Sequence, residues 1–480
     1  MHPYRPSKER TMPPSTAVAA AVKDLAARFG GAILQSGDAG YDDARMVWNG
    51  LYDRHPALIA RCASTEDVQA AVRFARANDL AVAVRCGAHS TMGYGTCDDG
   101  IVIDLTGMKG IEVDPRAKTA RSDGGLTWGE FDAATQEHGL AVTGGRFSTT
   151  GIAGLTLASG SGWLERKCGL TADNLLSADM VTADGDLVTA SETENPELFW
   201  GLRGGGGNFG IVTSFTYRLH DVGPMIYGGQ LVCLPDRAAD ILRFMREYME
   251  EAPDDLGAAV AFISAPPEPF VPAEMHFQPV VGIVICWTGD HAEGERMVAP
   301  IRHFAKPVMD MVQPMPYTAL QSMLDASGPK GIRGYMKAEF FEELSDEAID
   351  KLTEHGANRA GPMAQLLMEP MGGAISRVTD DATALGRRDV SWCYHALAMW
   401  MEPDQETHDA HFAWARGLAA DLEPHTTTGA YLNFTSDNDE DRVRSVYGPE
   451  KYARLVALKD RYDPDNVFRL NANIAPSGGA

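Results

Sequence analysis

The stretch VRCGAHSTMGYG, residues 84–95, ends an apolar run and strips the chain of bulk around one histidine. Gly87 and Ala88 precede His89; Ser90, Thr91, Gly93 and Gly95 follow it. Glycines let a backbone take positive φ and approach a ligand closely, and successive N–H groups in such a loop form a nest for anions. A loop of this kind at the end of a strand suits a phosphate-bearing cofactor. Taken alone, a histidine in a turn is more often a hydrogen-bonded structural residue than a reactive one.

Upstream, ALIARC, STEDVQAAVRFARANDL and AVAVR read as strand, helix and strand. Val68, Ala71, Val72 and Ala75 fall on one helical face, and Ser64 with Asp67 has the spacing of a capping box. Downstream, GIVIDL, GIEVD and KTARSD read as short strands. Thr127 and Glu130 open a helix that Gly139 can close. A second glycine-rich run, TGGRFSTTGIAGLTLASGSGWLERKCGL, fills residues 143–170. The strand ADMVTAD follows, with a turn at Asp184-Gly185. GGGNFG, 205–210, matches G-x-G-x-x-G literally, but IVTSFTYRL behind it alternates like a strand, whereas a dinucleotide fingerprint needs a helix there.

The pattern changes after residue 222. Amphipathic helices such as DRAADILRFMREYMEE alternate with the strand-like runs PVVGIVICW, GPMAQLLMEP and VSWCYHALAMW. This is α+β patterning and predicts a second domain; the final segment is too short to stand alone and is expected to return to the first. Trp392 and Tyr394 share one face of a strand, where they can roof a substrate or simply pack a core; Cys393 and His395 share the other. Gln365 and Glu369 are candidate polar pocket residues. YLNF, 431–434, reads as an alternating strand with Tyr431 and Asn433 on one face.

The chain has 480 residues, enough for two or three domains. Acidic residues outnumber basic ones, 66 to 42, for a formal charge of −24, which argues against nucleic acid or an anionic membrane as partner. Seven scattered cysteines with no CxxC pair suggest neither a disulfide framework nor a zinc site; no metal is expected, and a reducing cytoplasm fits best. Residues 1–16 read as disordered, without the apolar core of a signal peptide. The longest apolar stretch is too short to span a bilayer.

RCGAHSTMGYGTCDDGIVIDL, 85–105, resembles the histidine loop of the berberine-bridge-enzyme-like covalent flavoproteins, which have the vanillyl-alcohol-oxidase (PCMH) type of FAD-binding domain. The run from GIAGLTLASGSGWL to GNFGIVTSF, 151–215, and YDPDNVFRLNANIAP, 462–476, are similar to the same family. The resemblance implies an α+β, two-domain fold: an N-terminal tail and helix (1–41), an FAD-binding domain (42–222), an inserted substrate domain of antiparallel sheet and helices (223–423), and a C-terminal segment returning to the FAD domain (424–480).

It also implies roles. His89 stands at the position bonded to the flavin 8α carbon. Arg85, Cys86, Gly87, Ala88, Ser90 and Gly93 would wrap the pyrophosphate. Thr149, Thr150, Gly151, Gly154, Gly160 and Gly162 would line the ribityl track, and Ile211 the adenine end. Asn471 and Asn473 would close over the ring system, with Asn433 facing it. Tyr431 would take the substrate's proton, although a phenol ordinarily titrates near pH 10 and needs a cation or strong donor beside it. The expected activity is that of an FAD-dependent oxidase acting on a C–H next to O or N of a small organic substrate, with dioxygen as acceptor. An oxygenating or ring-forming flavoenzyme and a non-catalytic ligand-binding descendant are the alternatives.

Three departures from the family matter. Phe147 stands where many relatives have a second flavin-linking cysteine, so one link is expected. Cys168 replaces a usual tyrosine and reads as a buried structural thiol. Gly87-Ala88-His89 and Ala158-Ser159-Gly160 soften the family's glycine runs, at little cost if φ stays negative.

Overall fold

The computed structural model describes residues 16–269, 271–427, 429 and 432–479. A four-stranded sheet has the order Ala32–Leu34, Leu58–Arg61, Ile101–Asp104, Val82–Arg85. Leu58–Arg61 and Val82–Arg85 lie parallel to Ile101–Asp104 on its two sides, so the chain must cross over between them. The crossover is the helix Thr65–Ala77. Ser64 caps it by accepting from the Asp67 N–H, a contact worth about 1 kcal/mol. Val68, Ala71, Val72 and Ala75 pack on Leu58, Ala60, Ile101 and Ile103. The loop carrying His89 leaves the sheet directly after Arg85.

A five-stranded antiparallel sheet has the order Ile111–Asp114, Thr119–Asp123, Ile211–Arg218, Leu175–Val181, Leu187–Ser191. The helix Trp128–Gln136 starts on a complete Thr127/Glu130 capping box and buries Trp128 and Phe131 beside Phe215 and Tyr217. The C-terminal helical segment Glu440–Tyr462, two helices joined by a kink at Gly448, adds Val443, Tyr447, Leu455 and Leu458 to this same core. Lys459 is fully buried there, and its ammonium donates to Asp463 Oδ2 (2.7 Å) and to the carbonyls of Asn208 (2.9 Å) and Phe468 (3.0 Å). A buried charge is tolerated only when partnered this fully; here it pins the end of the chain to the 204–210 loop. That loop runs into the strand Ile211–Arg218 and not into a helix.

The largest sheet, eight-stranded and antiparallel, runs from Met225–Cys233 to Trp392–Trp400 in sequence. Ala238–Glu251, Asp346–Ala357 and Gln405–Leu422 cover one face, burying Ile241, Met245, Leu352 and Leu418 against Leu366, Met368, Trp392 and Tyr394. Trp392 and Tyr394 are therefore core residues, and the expectation of an aromatic roof is corrected: the opposite face of that strand, with His395, Leu397 and Met399, looks into the cavity described below. Leu432–Phe434 is a turn of 3-10 helix and not a strand, so the alternation argument for its side chains does not hold. Residues 1–15 and Tyr431 lie outside the described residues.

All seven cysteines are free thiols. Among the described residues no helix is long and apolar enough to cross a membrane, and no group of three or more His, Cys, Asp or Glu is placed to hold a metal ion.

Candidate active site

A cavity of about 320 Å³ lies where the three sheets meet. One end is walled by Val82, Leu105, Ile211 and Phe468, which belong to the core of the four-stranded sheet. The other is walled by Met336, Leu367, Leu397 and Met399 of the eight-stranded sheet, packed with Trp48. Between them run three small-residue segments: the loops 86–91 and 206–210, and 150–158, which enters the helix Ile152–Leu157.

Segments 86–91 and 150–158 touch backbone to backbone. A Cβ on Gly87 would collide with the amide nitrogen of Gly151, and one on Gly151 with that of Gly87. Ala88 has φ +55° and Ser159 φ +89°, so both depart from the favourable case: the loops keep their shape and the two residues take a left-handed conformation that glycine would adopt freely.

His89 stands at the join. Its Nε2 pairs with Thr149 Oγ1 at 2.8 Å; the other ring nitrogen has no hydrogen bond among the described residues. Trp48 stacks on the imidazole at 5.3 Å, and Phe147 lies tilted against it at 6.1 Å. Burial pushes the imidazole down to about 4, so the ring is neutral at ordinary pH. Burial pushes the neighbouring Cys86 thiol up to about 11, and it donates to the Leu126 carbonyl at 3.2 Å, which leaves it protonated.

At the far end sits a buried ionic cluster. Arg146 Nε is 3.0 Å from Glu369 Oε1, and its Nη2 is 3.3 Å from Glu165 Oε1. Ser161 accepts from Arg146 (2.9 Å) and donates to Glu165 Oε2 (2.5 Å). His395 Nε2 is 2.7 Å from Glu369 Oε2. Burial raises both carboxyl groups. At Glu369 this is outweighed by Arg146 and His395, and the group falls below its usual range. Glu165 stays raised, pushed further by Glu369.

The residues present fit FAD. Gly154 and Gly207 line the cavity, and a Cβ on either would meet nothing within 4 Å, so a ligand can lie against their backbone. Asn471 donates to the Gly207 and Phe468 carbonyls while its Oδ1 is buried without a partner; Asn473 Oδ1 is likewise unpartnered. Buried acceptors of this kind are uncommon unless something else satisfies them.

Of the residues singled out in the sequence, Cys86, Gly87, Ala88, His89, Ser90, Thr150, Gly151, Gly154, Ile211, Asn433, Asn471, Gln365 and Glu369 line the cavity. Thr149 reaches it through His89. Others do not line it, and the structure gives the reason. Arg85 turns to the Met46 carbonyl and Asp104. Gly93 packs on Tyr52, Gly160 on Thr171 and Gly162 on Gly144, where side chains would clash. Asn473 is not among the lining residues, although its neighbour Ala472 is. Trp48, Arg146, His395 and the glycines at 206, 207 and 210 were not anticipated as lining residues. Only the glycines carried a sequence signal, in the G-x-G-x-x-G match.

Residues 56–191 match the family model described as an FAD binding domain, and residues 430–475 the one described as berberine and berberine like. (R)-6-hydroxynicotine oxidase of Paenarthrobacter nicotinovorans is 32% identical over 467 residues, covering 93% of this chain and 97% of that protein. An FAD-linked oxidoreductase of Dictyostelium discoideum is 30% identical over 460 residues, covering 95% and 97%. The crystal structure of 6-hydroxy-D-nicotine oxidase from Arthrobacter nicotinovorans superposes with a TM-score of 0.84 at 30% identity, covering 94% of this chain and 98% of that one. The glycine-lined cavity and its histidine thus sit in a fold shared along nearly the whole chain, and the protein belongs to the berberine-bridge-enzyme-like family of FAD-linked oxidoreductases.

Proposed function

We propose that the protein is an FAD-dependent oxidase whose flavin is held by a single covalent link to His89, and that it oxidises a C–H bond beside a nitrogen or oxygen of a small organic substrate. The observation that carries this reading is His89 itself: a neutral imidazole at the join of two glycine loops, with Nε2 engaged by Thr149. With Nε2–H donating to Thr149 Oγ1, the lone pair offered to the flavin 8α carbon is that of Nδ1. Phe147, packed on His89 and Trp48, fills the place of a second attachment. When bound, FAD supplies a two-electron acceptor that takes hydride at N5 and passes the electrons to dioxygen, giving hydrogen peroxide.

The rest falls to this chain's side chains. Asn471, with its unpartnered oxygen, orients the ring system, and the glycine loops hold the pyrophosphate through backbone N–H groups. Met336, Leu367, Leu397, Met399 and Phe434 exclude water around the substrate, which raises the effect of each nearby charge. Gln365 and the Arg146–Glu369–His395 group supply the polar contacts. For the substrate's proton the resemblance offers Tyr431, and the described wall offers His395. The name of the P. nicotinovorans relative makes a cyclic amine the first compound to test. Anaerobic addition of a panel of cyclic amines and alcohols should bleach the flavin with at least one compound, and in air one peroxide should form per substrate oxidised. Bleaching with no peroxide in air would remove dioxygen as acceptor; a flavin that no reductively competent compound bleaches would remove the oxidase reading.

A further inference from the structure

We propose that His395 is the group that accepts the substrate's proton, with Glu369 and Arg146 as its positioning residues; this rests on the oxidase reading above.

The argument is one of hydrogen-bond bookkeeping. Glu369 Oε1 lies in an ion pair with Arg146 Nε at 3.0 Å, and Oε2 is hydrogen-bonded to His395 Nε2 at 2.7 Å. An ionised carboxylate only accepts, so Nε2 of His395 carries a hydrogen and donates it. In the neutral ring the lone pair is then on Nδ1. That atom is buried and has no hydrogen-bond partner among the described residues, and His395 lines the cavity. Phe434 stands edge-on to the ring at 4.4 Å and 65°, which fixes its plane. A buried acceptor left without a donor is costly, and a substrate N–H or O–H in the cavity would satisfy it.

The arrangement has the logic of a carboxylate-oriented histidine base: the carboxylate selects the tautomer and stabilises the imidazolium that forms. The substrate X–H bond breaks and its proton goes to the Nδ1 lone pair. The X–H electron pair becomes the second bond of C=X. The neighbouring carbon gives up hydride with its own pair to the flavin. The ring, now protonated on both nitrogens, faces Glu369. The other titratable groups facing this cluster are Arg146 from the loop ahead of helix Ile152–Leu157, Glu165 from helix Glu165–Cys168, and Cys393 on the same strand, whose thiol burial holds protonated. Arg146 and His395 hold Glu369 below its usual range, and burial holds Glu165 above its own.

The test is made on the flavin-loaded protein labelled with 15N-histidine. Long-range proton–nitrogen spectra, with His395 assigned by the signal lost in His395→Gln, should give a bare Nδ1 and a protonated Nε2 at neutral pH. A proton on Nδ1 there, as the other tautomer or as imidazolium, overturns the proposal, and this readout needs no substrate. With the compound that bleaches the flavin, His395→Gln keeps a donor for Glu369 but has no base, and should slow anaerobic reduction by roughly 10²–10⁴-fold. Flavin content should be unchanged. His395→Asn serves if the first variant does not fold. Tyr431→Phe abolishing reduction while His395→Gln reduces at the wild-type rate overturns His395 as base and leaves the oxidase reading standing.

Discussion

The indole of Trp48 is stacked on the imidazole of His89, with centroids 5.3 Å apart and planes 19° from parallel. The same residue joins two distant loops. Its backbone N–H donates to the Ala88 carbonyl (3.0 Å), its Nε1 to the Gly328 carbonyl (2.7 Å), and its carbonyl accepts from Gly331 (2.9 Å). Trp48 therefore sets the tilt of the histidine and ties it to the segment leading into strand Arg333–Phe341. Trp48→Ala should destabilise the protein by about 3–5 kcal/mol and slow covalent flavin attachment when apoprotein is mixed with FAD. Trp48→Phe, which keeps a stacking surface, should recover most of the attachment rate. Equal attachment rates in all three proteins would show that stacking does not orient the ring.

Attachment should be indifferent to mild acid. Burial places the His89 imidazole at about 4, below its ordinary value of about 6.5. Between these values the unfolded chain takes the proton and the folded one does not, so the stability His89 contributes is present above about pH 6.5 and fades toward about pH 4. The folded ring stays nucleophilic through that window. Attachment rates measured from about pH 8 down to about pH 5 should stay flat. A decline by half near pH 6.5 would place the ring in a far more solvated setting.

Two residues occupy backbone conformations that suit glycine. Ala88 has φ +55° and Ser159 φ +89°, a region costing an L-residue roughly 1–2 kcal/mol. Ser159 is also 1% exposed with its hydroxyl unpartnered. Ala88→Gly and Ser159→Gly should each raise stability in urea by about 1 kcal/mol, after glycine's greater freedom in the unfolded chain is deducted. A lower midpoint in either variant would mean that the loop does not hold this conformation.

Asp132 is fully buried on helix Trp128–Gln136, where Gln321 donates to it at 2.8 Å, and burial pushes it up to about 7. Its folded pKa lies above the ordinary carboxyl value of about 3.9, so the folded state takes the proton first. Stability therefore falls as pH rises from about 4 to about 7. Asp132→Asn keeps the contact with Gln321 and removes the charge. It should match the wild type near pH 4 and exceed it near pH 8, by up to about 4 kcal/mol. Denaturant melts at the two values check this; an equal difference at both would contradict it.

Local rules made some of this readable in the sequence and left the rest hidden. The caps at Ser64 and Thr127 involve residues three apart; Thr127 and Glu130 form the full box, whereas Ser64 accepts from the Asp67 N–H and the Asp67 carboxylate turns to Gly30, Gly31 and Ala63. The glycine loop around His89 also announced itself locally. YLNF did not, because four alternating residues fit either a strand or a turn, and the packing of Phe434 on His395 decides between them. Strand Trp392–Trp400 is buried at every position, so alternation could not say which face meets the cavity. The Arg146–Glu369–His395 group joins residues 26 and 223 positions apart in the chain, a pairing that exists only once the largest sheet has closed over the loops.

The most direct measurement is the fate of the flavin when the protein is precipitated in acid, washed and digested. Wild-type protein should keep the yellow chromophore, on the single peptide that carries His89 and on none that carries a cysteine, and His89→Ala should release it all to the supernatant. Free flavin in the supernatant of the wild type, or chromophore retained by His89→Ala, would contradict the account.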